Sequence, residues 1–178
     1  MSFPPIEAAI VSKVSTDSLT GLLTRRAFLK EASAAFEHFS ASQLGMAAIL
    51  LDLDHFKRLN AEFGRETGDE TLRWVAHIFR ETLRPRDLAG RYHGEEFAAL
   101  LQCAALADAC RLAQRIQSRL QAQPLVVDGR QLPVIVSLGV FFTRGTLPDV
   151  RALFDRAGRA LSRAKHNGRD CWVCEEEP

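Results

Sequence analysis

The chain has 178 residues, 47% apolar and 25% charged, with a formal net charge of +1. That is enough for one domain with its own core, and the near-neutral balance excludes a nucleic-acid binder that works through a global basic field. No apolar run approaches the roughly 20 residues that cross a bilayer, and Met1 to Glu7 lack the basic and apolar regions of a secretory leader. The expectation is a cytoplasmic protein with no membrane segment and no nucleic-acid partner. Cys171 and Cys174 form a C-x-x-C without a second pair at zinc spacing, so they read as reduced thiols in a terminal strand.

Residues 1–16 are expected to form a helical lead-in or linker, and the domain proper to span 17–175. Thr24 is placed to cap a helix whose apolar positions Phe28, Ala32, Ala35, Phe36 and Phe39 follow helical spacing. Met46 to Asp54 is a continuous apolar run ending in carboxylates, the pattern of a buried central strand. A short helix follows over 55–63. A longer one covers about 67–83, with Leu72, Val75, Ala76, Phe79 and Leu83 on one face. Leu88–Tyr92 and Glu95–Leu101 read as strands joined at His93-Gly94, a two-residue turn with left-handed backbone at both positions. A helix over 105–122 turns Leu112, Ala113, Ile116 and Leu120 inward. Asp128-Gly129 is a hairpin turn between strands at 125–127 and 132–142. The last helix runs from Pro148 in its first turn to Lys165. Asn167-Gly168 ends it before a short strand at 171–174. Helices mixed with a mostly antiparallel sheet define a two-layer α+β domain.

Asp52 and Asp54 end the buried strand, and the reading sends one toward a site and the other toward the helical layer. Glu95 and Glu96 follow the tight turn and point to opposite faces. If the two strands are neighbours, one Asp and one Glu converge at one sheet edge. Such hard oxygens suit Mg²⁺, which takes few protein carboxylates and keeps positions open for phosphate oxygens. Lys57 begins a helix whose free N–H groups favour anions. Lys165 and Arg169 close the last helix within reach of the same phosphates. Asn60 and Asp69 supply an amide and a carboxylate able to read a guanine edge. Singly, each of these is an ordinary cap or solvated charge; the combination points to a nucleoside triphosphate.

The combination resembles the GGDEF family over 17–173. Asp17 to Arg26 is similar to the family's D-x-L-T-G-L-x-N-R-R, with Thr24 in place of Asn. Asp52 to Asn60 matches D-x-D-x-F-K-x-x-N, and Gly64 to Asp69 follows G-H-x-x-G-D with Arg65 in place of His. Arg91 to Phe97 resembles the signature hairpin, Val136 to Val140 the V-S-x-G-V strand, and Ala164 to Arg169 the A-K-x-x-G-R end. The resemblance implies a fold like the nucleotidyl-cyclase and polymerase-palm core, a central sheet flanked by helices. It also implies synthesis of cyclic di-GMP from two GTP.

Carried over by position, Asp52, Glu95 and Glu96 are the catalytic carboxylates. They would hold Mg²⁺, with Mn²⁺ admissible in its place, assisted by the Leu53 carbonyl. Asn60 and Asp69 would take guanine; Lys57, Lys165 and Arg169 the β- and γ-phosphates. The backbone at His55, Phe56, His93 and Gly94 would approach the phosphates. Each domain binds one GTP, so the partners implied are a second GGDEF domain and an upstream sensor domain or protein. Arg84 and Asp87 stand where the family has its R-x-x-D inhibitory product site, with Arg115 as a further contributor. His93 departs from the signature by replacing its first glycine; Ala61, Arg65 and Gly158 also depart. The competing reading is a catalytically degenerate domain that binds GTP or cyclic di-GMP and signals by protein contact.

Overall fold

The computed structural model of the chain describes residues 15–42, 45–103, 105–144 and 147–177. Most of the lead-in expected over 1–16 lies outside the described residues. Thr16 forms a β-bridge to Leu23 instead of a helical turn. The elements are β1 (Leu23–Thr24), α1 (Arg25–Ser42), β2 (Met46–Leu53), α2 (Phe56–Phe63), α3 (Arg65–Thr82), β3 (Leu88–His93) and β4 (Glu96–Gln102). They continue with α4 (Leu106–Ala122), β5 (Val126–Val127), β6 (Arg130–Gln131), β7 (Val136–Thr143), α5 (Val150–His166) and β8 (Trp172–Glu176).

One six-stranded sheet has the order β1-β3-β4-β2-β7-β8. Its inner pairings, β3 with β4, β4 with β2 and β2 with β7, are antiparallel, and its two outer ones are parallel. All of β2 is buried, which is why its sequence is a continuous apolar run. Its alternate side chains divide two cores. Ala47, Ile49, Leu51 and Leu53 pack with α3 and α4, while Met46, Ala48 and Leu50 pack with α1 and α5. The α+β class and the mostly antiparallel sheet hold. Because helices cover both faces, the sheet is the middle of three layers and not one of two.

Gly139 on β7 fixes how closely α5 sits. A Cβ there would come within 2.2 Å of both the Ala157 carbonyl oxygen and the Leu161 nitrogen. The α5 backbone therefore lies directly on the strand, a contact that needs glycine for its missing side chain.

Four expectations need correction. The β3–β4 turn falls on Gly94-Glu95; His93 belongs to β3 and is paired with Glu96 across an irregularity in register. Of the two, Gly94 alone is left-handed, at φ 44°, so a branched ring is not forced into that conformation. The Asp128-Gly129 turn is present with φ 50° and 74°, but the strand expected over 132–142 divides. Arg130–Gln131 pairs with Val126–Val127 in a separate two-stranded sheet, and β7 starts only at Val136. Pro148 lies ahead of α5: Asp149 is the N-cap and accepts from the Ala152 N–H at 2.8 Å, satisfying a helix donor that proline cannot. Finally, Cys174 is disulfide-bonded to Cys110 on α4, whose Cα lies 6.1 Å away. Cys171 and Cys174 are therefore not one unit, because β8 sets Cys174 against α4. Cys103 and Cys171 are free.

Candidate functional site

The site begins where β2 ends. Asp52 is opposite Glu96 on one side and Ser137 on the other. Directly paired residues of antiparallel strands share a face, and here it is the face covered by α5. From the last turn of α5, Lys165 Nζ reaches Asp52 Oδ1 at 2.9 Å. Asp54 comes to the same side: its Oδ2 accepts from Ser137 Oγ at 2.8 Å and from the Asp170 N–H at 3.3 Å, and its Oδ1 lies 3.6 Å from Arg169 Nε. The expectation that the two aspartates would divide between site and helical layer is therefore corrected. With a side-chain period of two they share a face, and the end of α5 supplies each with a cation.

Burial pushes the Asp52 carboxyl above the usual carboxylate range; Lys165 opposes the rise, while Glu95 and Asp54 add to it. Burial likewise raises Glu96, and Asp52 raises it further. Glu95 sits in the turn, and its carbonyl accepts from the Leu53 N–H at 3.4 Å, tying the end of β2 to the hairpin. The donor chemistry suits a small divalent cation: carboxylates of Asp52, Glu95 and Glu96 and a backbone carbonyl at Leu53. Asp54 Oδ1 is buried without a hydrogen-bond partner, and the Arg169 guanidinium at 3.6 Å is the cation that faces it. Among the described residues no three acidic, His or Cys groups already stand at metal-binding spacing; the ammonium of Lys165 meets Asp52.

The hairpin turn is braced by residues that sequence reasoning did not single out. Arg91 Nε donates to the Gly94 carbonyl at 2.8 Å, and its Nη1 reaches both oxygens of Asp17 at 3.1 and 3.2 Å. Asp17 Oδ1 also accepts from the Thr20 N–H at 2.9 Å and the Thr20 hydroxyl at 2.7 Å. Burial works to raise the Asp17 carboxyl, but the Thr20 and Arg91 bonds prevail and hold it below its ordinary range. Asp17 and Arg91 stood in matched motifs, yet no local pattern announces a contact across 74 residues. His93 is exposed at the end of β3.

The α2–α3 corner gathers the residues expected to read a base. His55 precedes α2 in left-handed backbone, at φ 59°, and no side chain caps the helix N-terminus. The exposed Lys57 lies in its first turn. Asn60 packs so closely on Gly68 that a Cβ there would fall 1.8 Å from Asn60 Oδ1, with the Phe56 ring at 3.3 Å. Asp69 follows on α3, exposed.

A second region lies at the other end of the β3–β4 hairpin, roughly 20 Å away by strand rise. Arg84, Asp87, Cys103, Asp108, Arg111 and Arg115 line a cleft of about 460 Å³. Asp87 is buried, and its Oδ2 accepts the Arg84 N–H at 2.9 Å. Burial raises its carboxyl, against the pull of Arg84. Arg115 donates to the Thr82 carbonyl. The structure thus brings Arg115 together with Arg84 and Asp87, and adds Arg111, which pairs with Asp108. The Cys103 thiol, pushed up to about 12 chiefly by burial, is not a nucleophile.

Fold and site together define an α+β domain that presents acidic strand ends to the cationic end of a helix. The chain belongs to the GGDEF family: the model of the family described as "Diguanylate cyclase, GGDEF domain" matches residues 14–171. It is 38% identical over 160 residues to the response regulator PleD of Caulobacter vibrioides, covering 89% of this chain and 35% of that protein. It is also 38% identical over 160 residues to diguanylate cyclase DgcP of Pseudomonas aeruginosa, covering 89% of this chain but 23% of DgcP. The chain thus spans well under half of either relative. Among solved structures, the GGDEF domain of DgcB from Caulobacter crescentus, in complex with c-di-GMP, superposes with a TM-score of 0.84 at 28% identity. That match covers 89% of this chain and 94% of the other. Among the described residues no helix is long and apolar enough to cross a membrane.

Proposed function

We propose that this chain is a diguanylate cyclase domain that condenses two GTP into cyclic di-GMP and releases two pyrophosphates. The observation that carries the reading is the buried Asp52, set beside Glu96 by strand register and met by Lys165 from α5. In this reading Asn60 and Asp69 hold the guanine edge, and Lys57, Lys165 and Arg169 hold the β- and γ-phosphates. The backbone from His55 to Phe56 and at His93 and Gly94 borders the phosphates. A divalent ion, Mg²⁺ or Mn²⁺, held by Asp52, Glu95, Glu96 and the Leu53 carbonyl, would neutralise phosphate charge. Glu95 takes the proton of the ribose 3′-OH as that oxygen attacks the α-phosphate carried by a second domain. Most of the acceleration comes from alignment and charge. Two domains must face each other, so a second GGDEF domain is the obligatory partner, and a sensor domain or protein upstream sets when they meet. GTP places the work in the cytoplasm. Arg84, Asp87 and Arg115 bind the product and restrain the enzyme.

The test is incubation of purified protein with GTP and Mg²⁺ at several protein concentrations, with chromatography of the products. Cyclic di-GMP should rise more than linearly with protein and vanish in Glu95→Gln and Asp52→Asn. GTP or cyclic di-GMP binding without product would replace the reading with that of a nucleotide receptor. One feature favours that second reading: a histidine where the signature has glycine. A large gain in turnover in His93→Gly would show that the ring impairs the site.

A further inference from the structure

The chain leaves α5 in an unusual way. Gly168, Arg169 and Asp170 follow one another with φ of 108°, 65° and 46°. A single left-handed residue, usually glycine, is enough to end a helix. Here two side-chain-bearing residues continue in a conformation that crowds their Cβ atoms. Backbone of this kind persists only where its surroundings over-determine it, and it concentrates at functional sites.

The surroundings are specific. The Asp170 N–H donates to Asp54 Oδ2 at 3.3 Å. From α4, Gln117 Nε2 donates to the Asp170 carbonyl at 2.6 Å and to its Oδ1 at 3.0 Å. Arg169 N–H returns to the Ala164 carbonyl at 3.2 Å. The Asp54 side chain is 0% exposed, and its unpartnered Oδ1 faces the Arg169 guanidinium, which is 43% exposed. The buried carboxylate, its Oδ2 fixed by hydrogen bonds and its Oδ1 open to the cation, holds Arg169 at this end, while the exposed part of Arg169 stays available to an incoming anion. Lys165, one turn earlier, is held over Asp52 in the same way.

We infer that Asp54 and Gln117 are positioning residues that latch the Arg169–Asp170 turn, and so set the affinity for the β- and γ-phosphates of the bound nucleotide. This rests on the triphosphate reading above and adds two residues to it. Asp54 acts as the anchor of the turn. Gln117 acts from a separate helix. Without it the turn relaxes toward ordinary backbone, and Arg169 leaves the phosphate position. A base-reading contact at Asn60 and Asp69 is untouched.

The experiment measures binding of GTP and of GMP, each with Mg²⁺, to the full chain and to Gln117→Ala. That substitution removes a partly exposed side chain and leaves the core whole. GTP affinity should fall about tenfold, the effect of one strong hydrogen bond, with GMP affinity and the melting temperature unchanged. Adding Asp170→Gly should restore GTP binding, because glycine takes the left-handed conformation without a partner. Asp54→Asn should show the same selective loss. Equal weakening of GTP and GMP, no change in either, or failure of the glycine rescue would overturn the latch. A wild-type protein that binds GTP no better than GMP overturns the triphosphate reading and the latch with it. A wild type that discriminates, beside a Gln117→Ala that discriminates equally, overturns the latch alone.

Discussion

Two buried aspartates stand at opposite ends of the β3–β4 hairpin, and they are used differently. Asp87 builds its own surroundings: its carboxylate accepts the Arg84 N–H at 2.9 Å, and its N–H returns to the Arg84 carbonyl at 3.0 Å. Asp52 builds nothing in the backbone. Its contact is a side chain from the far end of the chain, Lys165. Burial raises both carboxyls. An acid that closes a turn repays its burial as structure, whereas one held among like charges with a single movable cation is the arrangement of a functional group.

That contrast breaks if removing either acid has the same consequence. Asp52→Asn should reduce cyclic di-GMP formation by about 100-fold or more without lowering the melting temperature. Gly139→Ala sharpens the same point from behind: its Cβ forces α5 off β7. Stability should fall by about 3 kcal/mol, and turnover with it, as Lys165 moves from Asp52. Asp87→Ala should lower stability by about 1–3 kcal/mol, because it strands a backbone donor, while turnover per folded molecule persists; denaturant unfolding beside a product assay separates the two.

The pH dependence carries a defined sign. A carboxyl raised on folding binds its proton more tightly in the native state. Its contribution is therefore fullest below the unfolded value of about 4 and is lost as pH climbs through the raised native value. Asp52→Asn lacks that titration, so its stability relative to wild type should grow with pH across this window and then level off. Unfolding curves at stepped pH would show it; a difference that shrinks would break the assignment. The smallest effect belongs to Gly158→Ala. Inside α5 its new Cβ meets only Leu50 Cδ1, at 3.8 Å. Helix propensity should then add about 0.5–1 kcal/mol, with the Asp52 site unaffected.

Much of the fold is legible without coordinates, because it depends on near neighbours. The spacing of Phe28, Ala32 and Phe36 defines the buried face of α1, and the unbroken apolar run of β2 requires cover on both faces. Ordered motifs also name every proposed contact residue. Local rules begin to slip by a residue or two where several backbones compete. The hairpin turn moves from His93 to Gly94-Glu95, and Asp149 instead of Pro148 opens α5.

What the tertiary structure alone decided is which charges meet. Lys165 on Asp52, Arg169 and Asp170 on Asp54, Arg91 on Asp17 and Cys174 on Cys110 all join residues far apart in sequence. Arg91 meets Asp17 beside the β1–β3 pairing; the others follow from the strand order β4-β2-β7-β8 or from the seating of α5 and α4 against it. Residue type and local spacing determine that carboxylates end a strand and cations end a helix. Only the packing of the helix on the sheet determines that they end at the same place.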